Sequence, residues 1–317
     1  MDPALAAFAN TSQVSQARIL AKLFGALGPG NRTFAELGFN TDEQCVGSGS
    51  NTCGLWRAGW TGTLIDGGHE NTRINLHRAF ITSEGVPQLL RRLRVPRRVD
   101  YLSIDLDSFD LWIFKAILAS RYRPRVVSVE YNANIRWEYA LTYPDPAVHN
   151  PNASALDDRI QRGAIGQARH GCFVGASARA LVLAAAQHNY TAVAAAAPLD
   201  LFFVRDEEVA AYGAARLMAM LGKRDAFVPA ASNFRQGVAL NTFGHKAMTA
   251  AQARELLDYG VWLEQRRAGR SVEAAAAAAR EAARTAVKAL ARRAAANCGG
   301  GRLCGAMCFR RPELLNL

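Results

Sequence analysis

The sequence predicts an α/β protein: a doubly wound, mostly parallel sheet of seven strands whose last strand is antiparallel, followed by a helical C-terminal extension rich in Ala and Arg. Three observations carry this. Apolar segments of strand length alternate with helix-like segments from residue 33 to 132, the order that a parallel sheet requires. One of them, with Tyr101, Leu102, Ile104 and Leu106, reads as a strand covered on both faces. The run SVEAAAAAAREAARTAVKALARRAAAN, residues 271–297, holds no helix breaker.

Taken in order, QVSQARILAKLFGAL (13–27) sets Ile19, Leu20, Leu23 and Phe24 at helical spacing, and Gly28-Pro29-Gly30 stops it. TFAEL (33–37) reads as the first strand, followed by a polar loop and a short segment around Leu55-Trp56. TGTLID (61–66) leads into a helix-like HENTRINLHR, and the strand-like AFIT (79–82) precedes the helix-like PQLLRRL. YLSIDL (101–106) leads into LWIFKAILASR, and RVVSVEYN (125–132) follows. After a Pro- and Asn-rich insertion at 142–162, a helix at 177–189 precedes YTAVAAAA and LDLFFVRD. These two are close enough in sequence to pair antiparallel, which completes the sheet. Two domains are expected: residues 1–210, and a basic, mostly helical extension at 211–317 with a flexible Cys-containing tail.

The chain has 317 residues, is 50% hydrophobic and carries a net charge of +11. Residues 211–317 hold 17 Lys+Arg against 7 Asp+Glu, or +10, whereas residues 1–210 hold 21 against 20, or +1. Any surface seeking an acidic partner is therefore expected in the last third. Arg280, Arg284, Lys288 and Arg292 line one helical face, a stripe that could meet nucleic-acid phosphates or anionic lipid. The opposite face is mostly Ala, and a solvated helix is expected.

No apolar run approaches the roughly 18 residues of a membrane span, and residues 1–13 lack the marks of a signal peptide. A cytoplasmic location is expected. Four Asn-x-Ser/Thr triplets, at Asn10, Asn31, Asn152 and Asn189, would matter in the secretory pathway if a leader had been removed. Cys298, Cys304 and Cys308 lack zinc-site spacing, while Cys45 and Cys53 flank a loop and could pair in an oxidising compartment. No HExxH or GxSxG arrangement is present, so a hydrolase reading has no support.

Ligands of such sheets bind at the carboxyl ends of the strands, and the acids gather there. Asp105, Asp107 and Asp110 fall within six residues. Such a group needs a metal, a cationic ligand, shared protons or solvent, unless Asp107 or Asp110 serves the following helix as an N-terminal acid. Glu36 and Gly38 end the first strand and open into a loop with Gly47, Gly49 and Asn51. Gly38 allows close backbone approach and Glu36 can accept hydrogen bonds from a ligand, or the glycine serves only the turn. Asp66 closes the second strand and can grip ribose hydroxyls or cap a helix.

The ordered segments FAELGFN, SNTCGLWRAGWTGTLID, AFIT, VDYLSIDLDSFDLWIF, YRPRVVSVEYN, GASARALVLAAAQHNYTAV and LDLFFVRD resemble the FkbM-type branch of class I S-adenosylmethionine-dependent methyltransferases. The likeness covers residues 13–206. It implies a Rossmann-like sheet, S-adenosylmethionine as cofactor and O-methylation of a hydroxyl on a small molecule or glycan. It further implies that Glu36 and Gly38 face the methionine portion, Asp66 the ribose and Asp105 the sulfonium. Asn51 would support the cofactor loop, and Asp107, Asp110 and Glu130 would border the acceptor.

Two stretches depart from the pattern and bear on activity more than fold: Phe39-Asn40-Thr41-Asp42 in place of a glycine-rich turn, and Asp107-Ser108-Phe109-Asp110 in place of Asp-Gly-Asn-Asp. Asp107 or Glu130 could serve as base. Alternatively, Asp105, Asp107 and Asp110 could hold a divalent cation that binds a diol. Rival expectations are a catalytically inactive interaction module and a nicotinamide-dependent dehydrogenase.

Overall fold

The computed structural model describes Ala7, Ser12 and residues 14–46, 50–106, 109–133, 135–145, 175–229, 248–297 and 312–317. The chain forms two compact units that are not consecutive in sequence. One comprises residues 1–106, 112–130 and 184–227, the other residues 107–111, 131–183 and 228–317.

The elements run α1 (Gln16–Leu27), β1 (Thr33–Leu37), α2 (Cys53–Arg57), β2 (Thr61–Asp66), β3 (Leu76–Arg78), α3 (Val86–Arg92), β4 (Tyr101–Ile104), α4 (Asp110–Ala119), β5 (Val126–Glu130), β6 (Leu141–Thr142), α5 (Ala178–Ala186), β7 (Tyr190–Ala196), β8 (Asp200–Arg205), α6 (Asp206–Tyr212), α7 (Ala214–Asp225), α8 (Ala250–Glu255), β9 (Leu257–Asp258), α9 (Tyr259–Arg267) and α10 (Val272–Asn297). Among the described residues, no helix is long and apolar enough to cross a membrane.

The first unit is a Rossmann-like sheet of seven strands in the order β3-β2-β1-β4-β5-β8-β7. All neighbours are parallel except β8, which runs antiparallel to both β5 and β7. The apolar runs explain it: every residue of β4 and β8 is buried, as strands covered on both faces must be. The core joins Ile19, Leu23 and Phe24 of α1 to Phe34, Leu64, Tyr101 and Phe202 of the strands.

The third strand departs from the expected segmentation. HENTRINLHR is not a helix beyond the single 3₁₀ turn Thr72–Ile74; β3 occupies Leu76–Arg78, and AFIT forms no strand. Asn71 caps the 3₁₀ turn through its side chain, and Asn75 adopts left-handed backbone at φ 56°, a conformation Asn tolerates. The turn thereby delivers Leu76, which is fully buried, opposite Leu64.

Helices α1 and α7 are joined by charge. Asp225, 1% exposed, accepts from Arg18 at 2.6 Å and from Lys22 at 2.8 Å. Burial pushes the Asp225 carboxyl up, but the hydrogen bonds from Arg18 and Lys22 outweigh this and hold it below its usual value. A depressed carboxyl stabilises the fold above its unfolded pKa, near ~4, and loses that contribution as the pH falls through its native value. Asp225→Asn should therefore lower stability at pH 7 by about 2 kcal/mol in urea unfolding, and the difference from wild type should shrink in acid.

In the second unit, β6 and β9 pair antiparallel beside α8, α9 and α10. Thr249 and Gln252 form a reciprocal capping box at the start of α8, and Asp258 caps α9 through Val261. The expectation of a solvated α10 is corrected. Ala275, Ala276, Ala279, Ala283, Ala286, Val287, Leu290, Ala291 and Ala294 are buried, and the helix packs with Ile135, Leu141, Leu256 and Leu314. Alanine buries little area per residue, but a continuous Ala face permits close helix packing, and many small burials sum.

Candidate functional site at the carboxyl edge of the sheet

Strand register assembles the acids of the sheet unit. Leu37 pairs with Ile65 on one side and Ile104 on the other, so Gly38, Asp66 and Asp105, the next residues, form one row across β2, β1 and β4. Ile104 pairs with Val129, and Glu130 pairs with Asp200, which carries the row on to β5 and β8. Residues in a row share a face of the sheet. The row crosses the point between β1 and β4 where strand order reverses, the position at which such sheets open a crevice.

Gly38 makes the close approach possible. Its φ is +87°, and a Cβ there would lie 1.7 Å from the carbonyl oxygen of Asp105. The two turns are laced by Gly38 N–H to Ile65 O at 2.9 Å and Asp105 N–H to Leu37 O at 3.0 Å. The glycine thus serves the approach of one backbone to another, between two acids that are each half-buried.

Glu36 lies two residues below Gly38 on the same face and is 1% exposed. Its carboxylate accepts from Asn51 N–H at 2.8 Å, from Thr52 N–H at 3.2 Å and from the Thr52 hydroxyl. Burial pushes the Glu36 carboxyl up to about 7, against the lowering effect of these Thr52 and Asn51 hydrogen bonds, with Asp200 adding a further upward push. Asn51 in turn donates its side-chain amide to Ser103 Oγ at 3.1 Å. Ser103 meets Ser128 at 3.2 Å, and Ser128 meets the Tyr101 hydroxyl at 2.6 Å. A Cys45–Cys53 disulfide closes the same loop, with Cα atoms 5.0 Å apart.

Asp66 stands at the rim. Its Oδ1 accepts from Gly68 N–H at 2.7 Å and His69 N–H at 3.0 Å, and its Oδ2 from Asn40 N–H at 3.1 Å. A carboxylate has about four lone-pair directions, so three are used by its own loops and acceptor capacity remains for one further donor. Glu130 is half-buried at the end of β5. Asp110 is buried as the first residue of α4, in the first turn where the helix dipole favours an acid. It belongs, like the 107–111 segment as a whole, to the second unit. Asp107 lies outside the described residues, as do Gly47, Gly49, most of the 142–162 insertion, and Cys298, Cys304 and Cys308. Among the described residues, no group of three His, Cys, Asp or Glu is placed to hold a metal ion.

Sequence reasoning missed Thr52, Ser103, Ser128 and Asp200 as parts of this network. The signal was present for two of them: a serine in the middle of each otherwise apolar strand, YLSIDL and VVSVE, at paired positions. Comparison of the chain with protein-family models, with curated proteins and with solved structures returned no match.

Proposed function

We propose that the sheet unit binds S-adenosylmethionine along its carboxyl edge and transfers the methyl group to an oxygen of a small molecule or glycan. The supporting observation is the single row that sets Asp66 and Asp105 on either side of a side-chain-free Gly38, at the reversal point of a 3-2-1-4-5-8-7 sheet. The residues fit the group in part. Asp66 retains an acceptor for one ribose hydroxyl, and Asp105 offers negative charge to a sulfonium. Glu36 and Asn51 act one layer below, where they fix the loop over β1.

The cofactor supplies an already activated methyl group when bound, so the protein's task is alignment and proton removal. Glu130, in the same row, is the carboxylate this unit offers for the acceptor's proton. A divalent cation is proposed as an aid on the resemblance alone. The disulfide favours an oxidising compartment over the cytoplasm expected from the sequence.

Calorimetry on the full chain tests the reading. Heat of binding is expected with S-adenosylmethionine, and Asp66→Ala should weaken it about tenfold, near 1.4 kcal/mol. Heat with a nicotinamide dinucleotide alone would select the dehydrogenase. Absence of heat with either would select the non-catalytic module.

A further inference from the structure

We propose that the opposite, amino edge of the sheet unit is a docking surface for a sulfated polysaccharide. This is independent of the methyltransferase reading and rests on where the strand order gathers arginine. The loops entering β1, β4 and β5 carry Arg32, then Arg97 and Arg98, then Arg121 and Arg123, and the last turn of α3 brings Arg91.

The backbone binds these loops side by side. Asp100 N–H donates to Thr33 O at 3.1 Å, and Arg123 N–H to Arg97 O at 2.6 Å. The Asn31 amide donates to Arg98 O at 3.3 Å, and Arg32 N–H donates to the Asp100 carboxylate at 2.6 Å. Arg97 and Arg91 both act on the phenol of Tyr122, which sits between Arg121 and Arg123.

All six arginines are exposed, and among the described residues none forms an ion pair with a carboxylate. The acids at this edge are engaged elsewhere: Arg125 binds Asp100 at 3.1 Å and Glu208 at 2.9 Å, Arg205 binds Glu207 at 2.9 Å, and Asp206 accepts from the Thr191 hydroxyl at 2.6 Å. The near-zero charge of residues 1–210 therefore conceals a local excess of arginine at the amino edge, where the acids Asp100, Glu207 and Glu208 are engaged by Arg125 and Arg205 and the six arginines are left without carboxylate partners among the described residues. Unbalanced like charge repels itself and attracts a polyanion.

The residue type narrows the partner. Of the 21 cations in residues 1–210, only Lys22 and Lys115 are lysine, and all six in the patch are arginine, whose planar fork matches the oxygens of a sulfate or phosphate. Nucleic acid is disfavoured because the aromatic ring in the patch, Tyr122, is only 6% exposed and gives bases nothing to stack on. A membrane surface is disfavoured because, among the described residues, the exposed large apolar ones, Val14, Val46, Trp56, Phe80, Val228 and Leu315, lie in none of these loops. The disulfide favours compartments where nucleic acid is scarce.

The test measures binding of the full chain to a fluorescent heparin oligosaccharide by anisotropy, with its desulfated form, a DNA duplex of equal charge and anionic vesicles as competitors. Because residues 211–317 carry most of the net charge, two triple variants are compared. Arg91→Gln/Arg97→Gln/Arg98→Gln should weaken binding about tenfold or more, whereas Arg284→Gln/Lys288→Gln/Arg292→Gln should change it by less than about threefold. Equal melting temperatures would establish that each variant is folded. The proposal is overturned if the α10 variant loses the affinity and the edge variant does not, if the desulfated form competes equally, if DNA or vesicles compete better than the sulfated sugar, or if wild type does not bind at low salt.

Discussion

Gly38→Ala is expected to leave the chain without a stable native sheet unit. The new Cβ would meet the carbonyl oxygen of Asp105 at 1.7 Å and its carbon at 2.7 Å; both are backbone atoms, so no rotamer change relieves the contact. Left-handed backbone alone costs an Ala about 1–2 kcal/mol. Relieving the overlap means separating β1 from β4 and losing the hydrogen bonds that lace their ends, so the total should exceed about 4 kcal/mol. Urea unfolding followed by circular dichroism would read this. Gly67→Ala is the control: its Cβ would have no neighbour within 4 Å, and its effect should stay within about 0.5 kcal/mol. A Gly38→Ala protein as stable as the control would show that the two turns are not in contact.

The second large effect concerns proton binding by Glu36. Its native carboxyl is pushed up to about 7 by burial, whereas in the unfolded chain it titrates near ~4.3. Between those values the native state holds a proton that the unfolded state has released. Its contribution to stability is therefore complete below about pH 4 and is lost as the pH rises to about 7, a change of about 4 kcal/mol, with no further change above. Glu36→Gln cannot titrate, so the wild-type-minus-variant stability should fall across this window and then level off. Denaturant titrations at several pH values would measure it, and a flat difference would mean that the carboxylate is already ionised in mild acid. Glu36→Ala would do more harm, since Asn51 and Thr52 N–H would lose their acceptor inside the protein.

Much of the fold was legible because buried parallel strands have a simple signature. TFAEL, TGTLID, YLSIDL and RVVSVE all form strands, and the short link between Ala196 and Asp200 dictated the antiparallel pair. The third strand was not legible. It is three residues long with Leu76 as its one buried residue, and Asn75 needed its left-handed conformation before the segment could be placed. The buried face of α10 escaped because Ala reads as neutral in a sequence, and only packing reveals its use.

At the site, Glu36, Asp66 and Asp105 could be picked out by their positions at strand ends. The partners of Glu36 could not, because Asn51 and Thr52 meet it only once the loop has folded back over β1. The arginine edge was invisible for a related reason. Its members are scattered from Arg32 to Arg123, acids offset them in any running sum of charge, and strand order alone brings them together.

The place of β8 also constrains synthesis. A ribosome releases Glu130 of β5 long before Arg205 of β8, which follows 75 residues later. At about 5–20 residues per second, the nascent protein spends several seconds with a hydrophobic strand edge unpaired, a template for association with other chains. Helix α1, made first, must also wait for Asp200 to receive the 2.7 Å hydrogen bond from Gln16. Expression at reduced temperature, or with chaperones that shield such edges, should raise the yield of folded protein.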